Sequence, residues 1–352
     1  MVIRFIHCFS IMALSASGAD TDFLSPEKQS YYQQQQQQIN SGYEKLRYNW
    51  VSPVSLKASG IYEKSAMTDT KDIRQTLSAG IAQDLFRSGG ITYAIGYADA
   101  KKEADMLGLG REIATTNQQL MHAVLTYRKN KFLLEQSEIK LKNSQIEIFL
   151  KRQQYTAGDI DITLLNNALM NQSTELKNNT AIRYTLAQQK LEAAKLSDTP
   201  IDSILLPVYT LTPKEAFLEE GWDLRYAQAL SHSSSQQYGE IKSSYQPKLT
   251  LIADAGLQRY DPQTNSMADY QGNFYDAGLQ LSVPLTYNAA ATTQEAQALY
   301  LKQQAQAADT KRLMEASYEQ KVALIENYRR LITIIRSNLH YYDELIRATE
   351  AA

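Results

Sequence analysis

The chain has 352 residues, with 36 Lys and Arg against 38 Asp and Glu, a net charge of −2, a charged fraction of 21% and a mean hydropathy of −0.41. So even a balance gives nucleic acid no electrostatic footprint to bind, and no run approaches the roughly 20 apolar residues of a membrane-spanning helix. At the N-terminus Arg4 precedes an apolar run from Phe5 to Leu14 and the small residues Ser15, Ala16, Ser17, Gly18 and Ala19, the pattern of a secretory signal peptide over residues 1–19. Cleavage after Ala19 removes Cys8, the one cysteine, which lies too early to be an acylation site. The mature chain then has no disulfide and no thiolate, so its stability must come from packing or from assembly. Six glutamines, Gln33 to Gln38, follow; flanked by Ser25-Pro26-Glu27 and by Ile39 to Tyr48, they read as a solvated helix.

An internal repeat organises the rest, with residues 20–245 as its first copy and 246–352 as its second. Ser52-Pro53-Val54-Ser55-Leu56 opens one strand pair, about 53–86, and Gln246-Pro247-Lys248-Leu249-Thr250 opens the other, about 247–285. In the first pair Val54, Leu56, Ala58 and Tyr62, then Leu77, Ala79, Ile81 and Leu85, alternate with polar or small residues. In the second, Leu249, Leu251, Ala253, Ala255 and Leu257, then Tyr275, Ala277, Leu279, Leu281 and Val283, do the same. Half-buried strands of a soluble sheet share this alternation, but apolar-out and polar-in is also the pattern of a membrane barrel. Residues 63–72 and 261–273 are polar and read as the hairpin loops.

Between the pairs the chain is almost all helix. About 64 residues from Ile91 to Gln154 contain no proline, and at about 1.5 Å per residue span roughly 96 Å, more than any compact domain needs. A break over residues 155–161 turns the chain back, and helix resumes from Ile162 to about Leu196 with Asp161 as its cap. A linker over 197–212 carries Pro200 and Pro207, and Thr212 with Pro213 and Glu215 restarts helix towards Ser244. The second copy repeats the long helix over about 288–352. Helices this long and this thin cannot bury a broad core alone, so contact with other helices, from other copies of the chain, is close to obligatory.

This order of signal peptide, helix, hairpin, long helix, tip turn, returning helices and hairpin resembles the TolC-like outer membrane efflux protein family over nearly the whole mature chain. The most specific stretch is Tyr155-Thr-Ala-Gly158-Asp-Ile160-Asp-Ile162-Thr163-Leu-Leu165-Asn-Asn167-Ala168, which is similar to the family's turn at the periplasmic end of its tunnel. Gly221-Trp222-Asp223-Leu224 through Tyr245-Gln246-Pro247 is similar to the helix that enters the barrel, and a proline there biases its neighbour towards extended geometry. The family's Pro-Leu-Phe strand ending is imperfect here, Asp84-Leu85-Phe86 in one copy and Pro284-Leu285-Thr286 in the other. The repeat spacing puts a second tip turn near roughly position 356, so the second returning limb is expected to be missing from this sequence.

The resemblance implies a mainly α fold with a small β-barrel portion, a duplicated hairpin on long antiparallel coiled-coil helices, and a trimeric α/β tunnel. It implies a passive exit duct in the outer membrane for a tripartite efflux or type I secretion system, reaching an inner-membrane transporter through a periplasmic adaptor. Tyr155, Gly158, Ile160, Ile162, Thr163, Leu165, Asn167 and Ala168 become the adaptor-docking tip, with Ile160, Ile162 and Leu165 as exposed apolar contacts. Lys57, Asp254 and Asp276 become lumen-lining candidates, and the barrel's partner is outer-membrane lipid. His122, His232 and His340 are scattered over predicted helices, and no phosphate loop or nucleophile elbow is present, so no enzyme activity, cofactor or metal is expected. The competing reading is a periplasmic structural coiled-coil oligomer whose strands form a small soluble cap.

Overall fold

The computed structural model describes residues 21–64, 71–206, 210–262 and 270–350. The signal-peptide stretch 1–19 and the larger part of both hairpin loops lie outside them. In chain order the elements are α1 (Pro26–Arg47), β1 (Ser55–Lys64), β2 (Lys71–Phe86), α2 (Gly90–Ala157), α3 (Ile162–Ala194), α4 (Lys214–Glu219), α5 (Trp222–Ser244), β3 (Lys248–Pro262), β4 (Tyr270–Ser282) and α6 (Ala289–Glu350). The protein is mainly helical with one four-stranded antiparallel sheet. The glutamine tract lies inside α1, with Gln33, Gln34, Gln37 and Gln38 exposed and Gln35 and Gln36 half-buried, Gln35 Nε2 donating to Glu112 Oε2 at 3.3 Å.

The hairpins are not two separate pairs. Strand order is β1-β2-β3-β4, and β2 and β3 pair from Asp72↔Pro262 to Phe86↔Leu249, with an irregularity between Asp84 and Phe86. Pairing the inner edges satisfies two rows of backbone groups that separate hairpins would leave open. The strands begin after the prolines, at Ser55 and Lys248, because proline has no N–H for the ladder.

The helix expected to run from a Thr212 cap to Ser244 is two helices. Pro213, not Thr212, precedes the first turn of α4 and makes no side-chain cap, and the chain breaks at Glu220 and Gly221 before α5. A Cβ on Gly221 would stand 2.3 Å from Met314 Cε of α6 and 2.8 Å from the Phe217 carbonyl, so only glycine fits where the chain turns under α6.

The described residues fall into two compact units, to each of which α1 and α2 supply a stretch. The first comprises described residues up to Gln36 together with Leu109–Leu211. Buried residues on α2 (Leu120, Ala123, Tyr127, Ser137, Ser144, Ile148) and on α3 (Leu165, Ala168, Asn179, Ala193) each share one heptad phase, the seam of an antiparallel coiled coil. The linker after α3 is pinned to the α2 surface: Ile201 and Ile204 are buried, Tyr127 Oη donates to Asp202 at 3.0 Å, and Arg128 donates to the Ile204 carbonyl at 2.6 Å.

The second unit comprises Gln37–Gly108 and the described residues from Thr212 onward. It holds the sheet and a helical core in which Ala104, Leu107 and Ala229 pack with Trp222 and Tyr226. Here α6 lies against α4 and α5, with Phe217 and Tyr318 ring centroids 5.3 Å apart and Tyr318 Oη donating to the Thr212 carbonyl at 3.0 Å. From Ala323 onward the described residues of α6 are exposed on every side.

Candidate functional site

Two places in the chain combine unusual exposure with polar chemistry: the sheet in the second unit and the α2–α3 turn in the first. In the sheet, period-two alternation and register put Leu56, Leu77, Leu257, Tyr275, Leu279 and Leu281 on one face. On the edge strands both faces are open, with Leu56 81% and Tyr275 89% exposed, whereas on the inner strands the polar face is the more covered, with Ser78 and Thr250 9% and 8% exposed. A water-soluble sheet buries the reverse.

Lys57, Asp254 and Asp276 all lie on the polar face. Asp254 stands directly opposite Asp276, its N–H donating to Asp276 Oδ1 at 3.1 Å, while Gly80 on its other side adds no side chain. Lys57 belongs to the next same-face rung, with Ser78, Gly256 and Phe274. Two carboxylates directly opposed weaken a strand pair, so this arrangement does nothing for the sheet itself. Sequence reasoning missed Arg74, Tyr260 and Tyr270, which share one rung of this face, the Arg74 guanidinium 6.0 Å from the centre of the Tyr260 ring. The alternation that carries the other face would have found Arg74 and Tyr260, but Tyr270 fell inside the stretch read as loop. Near the base of the strands Thr250 Oγ1 donates to Asp84 Oδ1 at 2.6 Å, and Arg87 lies 3.4 Å from the other Asp84 oxygen.

At the tip, α2 ends at Ala157 and Gly158 takes φ +83°, a left-handed turn that a side chain would strain. Asp161 caps α3: its Oδ1 accepts from the Thr163 N–H at 2.7 Å and the Thr163 hydroxyl at 2.5 Å. Those bonds, the hydroxyl's foremost, hold the Asp161 carboxyl below its ordinary range. A lowered carboxylate pKa contributes stability above the ordinary value that is lost as pH falls through the lowered one. The first turn of α3 is therefore expected to fray selectively on acidification below the usual Asp range, read by amide exchange at residues 162–165. Asp161→Ala should abolish that pH dependence, and an unchanged profile in the variant would assign it elsewhere.

Tyr155 and Ile162 are exposed, as are Thr163 and Asn167, and Ile160 is half-buried. Leu165 and Ala168 are both buried against Ile148 of α2, so Leu165 is not the exposed apolar contact expected of it. The three-residue step from 165 to 168 follows the coiled-coil seam, so both point into the pair, and the exposed apolar residues beside them are Leu164 and Leu169. Among the described residues no group of His, Cys, Asp and Glu is placed to hold a metal ion, and no helix is long and apolar enough to cross a membrane.

No family model matches the chain, and no curated protein matches it. Solved structures do. The outer membrane protein VceC from Vibrio cholerae superimposes with a TM-score of 0.66 at 18% identity, covering 87% of this chain and 75% of that one. The outer-membrane channel OprN gives 0.64 at 16% identity, covering 90% and 71%. The CmeC outer membrane channel from Campylobacter jejuni gives 0.65 at 11% identity, covering 90% and 74%. This protein thus has the fold of the TolC-like outer-membrane efflux channels, the family that its tip turn and paired hairpins resemble in sequence.

Proposed function

We propose that this chain is one protomer of a passive outer-membrane exit duct, exported under the signal peptide 1–19, and serving a tripartite efflux or type I secretion system. The single observation that carries the reading is the sheet's uncovered apolar face, with Leu56, Tyr275, Leu279 and Leu281 open while Ser78 and Thr250 of the polar face are covered. Exposing leucines at 65% and 71% on β4 is unfavourable in water and favourable in lipid. The likeness to outer-membrane channels of known structure supports the same placement.

Four strands are too few to close a barrel, and β1 and β4 are each paired on one side only in this sheet. Three copies joined edge to edge supply twelve strands and leave none unpaired. The helical side of the assembly has matching material. Ile325, Tyr328, Ile332, Ile335, Leu339, Tyr342 and Ile346 of α6 follow an unbroken heptad and are all exposed in the single chain. In the duct the polar face lines the bore, with Lys57, Asp254 and Asp276 in it, and the helices extend into the periplasm. The tip, through Tyr155, Ile160, Ile162, Thr163 and Asn167 around the Gly158 turn, docks a periplasmic adaptor that connects to an inner-membrane transporter. The conduit itself catalyses nothing: a water-filled bore lowers the barrier to crossing lipid, and energy comes from the partner.

The test is conductance in planar bilayers of the purified protein. Open-channel steps are expected, and Asp254→Asn with Asp276→Asn should lower cation over anion selectivity, seen as a shifted reversal potential in a salt gradient. Mature protein that stays wholly in the periplasmic soluble fraction without detergent would instead assign it to a structural coiled-coil oligomer.

A further inference from the structure

We infer that β1 of one copy pairs antiparallel with β4 of the next in one particular register, Ser55 opposite Ser282 and Lys64 opposite Asn273, and that this joint leaves Asp276 with no cation directly opposite it. The inference rests on the duct reading and fixes what that reading leaves open, how far the strands slide at each joint. Within the chain the rungs are continuous: Ser55 faces Gly80, Gly80 faces Asp254 and Asp254 faces Asp276. A joint with no slide would therefore set Ser55 opposite Asp276 of the neighbour. It would leave the base of β4, from Ala277 to Ser282, without a partner, and sliding the other way would strand still more of it. Slides of an odd number of residues are excluded too, because they turn the apolar side chains of one copy onto the polar face of the next.

Closure adds its own constraint. Strands of a membrane barrel tilt by about 35–45°, and the slide accumulated around the ring sets that tilt. At about 3.3 Å per residue and about 4.8 Å between strands, a slide of two residues per four-stranded copy gives a tilt of about 19°, four about 35°, six about 46° and eight about 54°. Two is too flat, although it would place Lys57 opposite Asp276. Eight is too steep, and it sets Glu63 opposite Asp276, two carboxylates that repel. Between four and six the prolines decide. Pro53 lies two residues before β1 starts and Pro284 two after β4 ends, and neither has an N–H for a ladder. A slide of six sets the two prolines opposite each other, just beyond a last rung of Ser55 and Ser282. A slide of four puts Pro53 against Ser282 and leaves Leu281 and Ser282 past the end of the ladder.

The same register matches side chains on the apolar face: Leu56 with Leu281, Ala58 with Leu279, and Tyr62 with Tyr275, an aromatic pair of the kind that stabilises neighbouring strands. On the polar face Asp276 then has Asp254 on one side and Ile61 of the next copy on the other, while Lys57 falls opposite Gln280. The carboxylates of all copies thus form a ring that no lysine crosses, which favours cations in the bore.

Disulfide trapping in outer-membrane vesicles tests the joint, on the full chain with Cys8→Ser so that no native thiol competes. Ala58→Cys with Leu279→Cys should give covalent trimer on a non-reducing gel, lost on reduction. Its yield should be about tenfold that of Ala58→Cys with Ala277→Cys or with Leu281→Cys, whose diagonal Cβ atoms stand roughly 7 Å apart. Ser59→Cys with Gly278→Cys repeats the measurement on the polar face, where a Cβ on Gly278 meets nothing within 4 Å, so a folding defect at Leu279 does not decide the outcome. Highest yield at either shifted partner would overturn the register and leave the duct standing. No covalent product in any combination would mean that β1 and β4 do not meet between copies, and the duct reading would fall with the joint.

Discussion

Arginine at Leu279 or Leu281 should abolish stable membrane insertion, while arginine at Gln280, between them, should leave it intact. The three residues are consecutive in β4, so strand propensity, sequence context and distance from the loop are nearly constant across the series. Only the face differs, because successive side chains in a strand point to opposite sides. Leu279 and Leu281 lie on the exposed apolar face, where Leu281 pairs with Leu249 and Leu279 with Leu251; Gln280 pairs with Thr250 on the polar face. An arginine facing lipid at mid-depth costs about 2–4 kcal/mol, which over the proposed three-copy barrel is roughly 6–12 kcal/mol, comparable to the whole stability of a domain. The measurement is the fraction of protein resisting alkaline or urea extraction from outer-membrane vesicles. Leu279→Arg and Leu281→Arg are expected to drop it at least tenfold and Gln280→Arg to leave it within twofold. Equal behaviour of all three variants would mean that this sheet meets no lipid.

The same comparison shows which parts of the molecule were legible in one dimension. Strand faces were, because period two is local: Leu249, Leu251, Ala253, Ala255 and Leu257 could be assigned together without knowing their partners, and Asp254 could be placed opposite to them. That Asp254 stands against Asp276 could not be known, since it depends on the register between β3 and β4, which period-two alternation does not fix. Nor could the joining of β2 to β3, a contact between segments about 170 residues apart that alternation alone does not encode. At the tip, Gly158 and Asp161 announced themselves through turn and cap chemistry, which needs only a few neighbours. Leu165 was misdirected because a hydrophobic residue near a turn looks exposed until the heptad phase of the returning helix is fixed by its contact with Ile148. The close approach of Met314 to Gly221 was invisible for a similar reason, since the two lie nearly a hundred residues apart.

Two glutamates in the α6 seam, Ile332→Glu with Ile335→Glu, should produce a folded protein that no longer assembles. The two residues occupy adjacent core positions of the heptad running from Ile325 to Ile346, and both are more than half or nearly half exposed in the single chain, at 55% and 49% for Ile335 and Ile332. A substitution there removes no contact the isolated protomer makes, so its helix content should survive. Assembly is another matter. Full burial of each isoleucine is worth about 1.5–3 kcal/mol, and losing two weakens association by roughly 10²–10⁴ even before the cost of burying a carboxylate is counted. Sedimentation in detergent should therefore move from the proposed trimer to monomer with the circular-dichroism spectrum unchanged. Ser337→Glu, on the opposite side of the same turn, supplies the matched charge and should leave the trimer in place. If the double variant remained trimeric, the seam would have to be filled by something other than the contacts that hold the copies together. If Ser337→Glu dissociated it as well, added charge rather than seam geometry would be responsible.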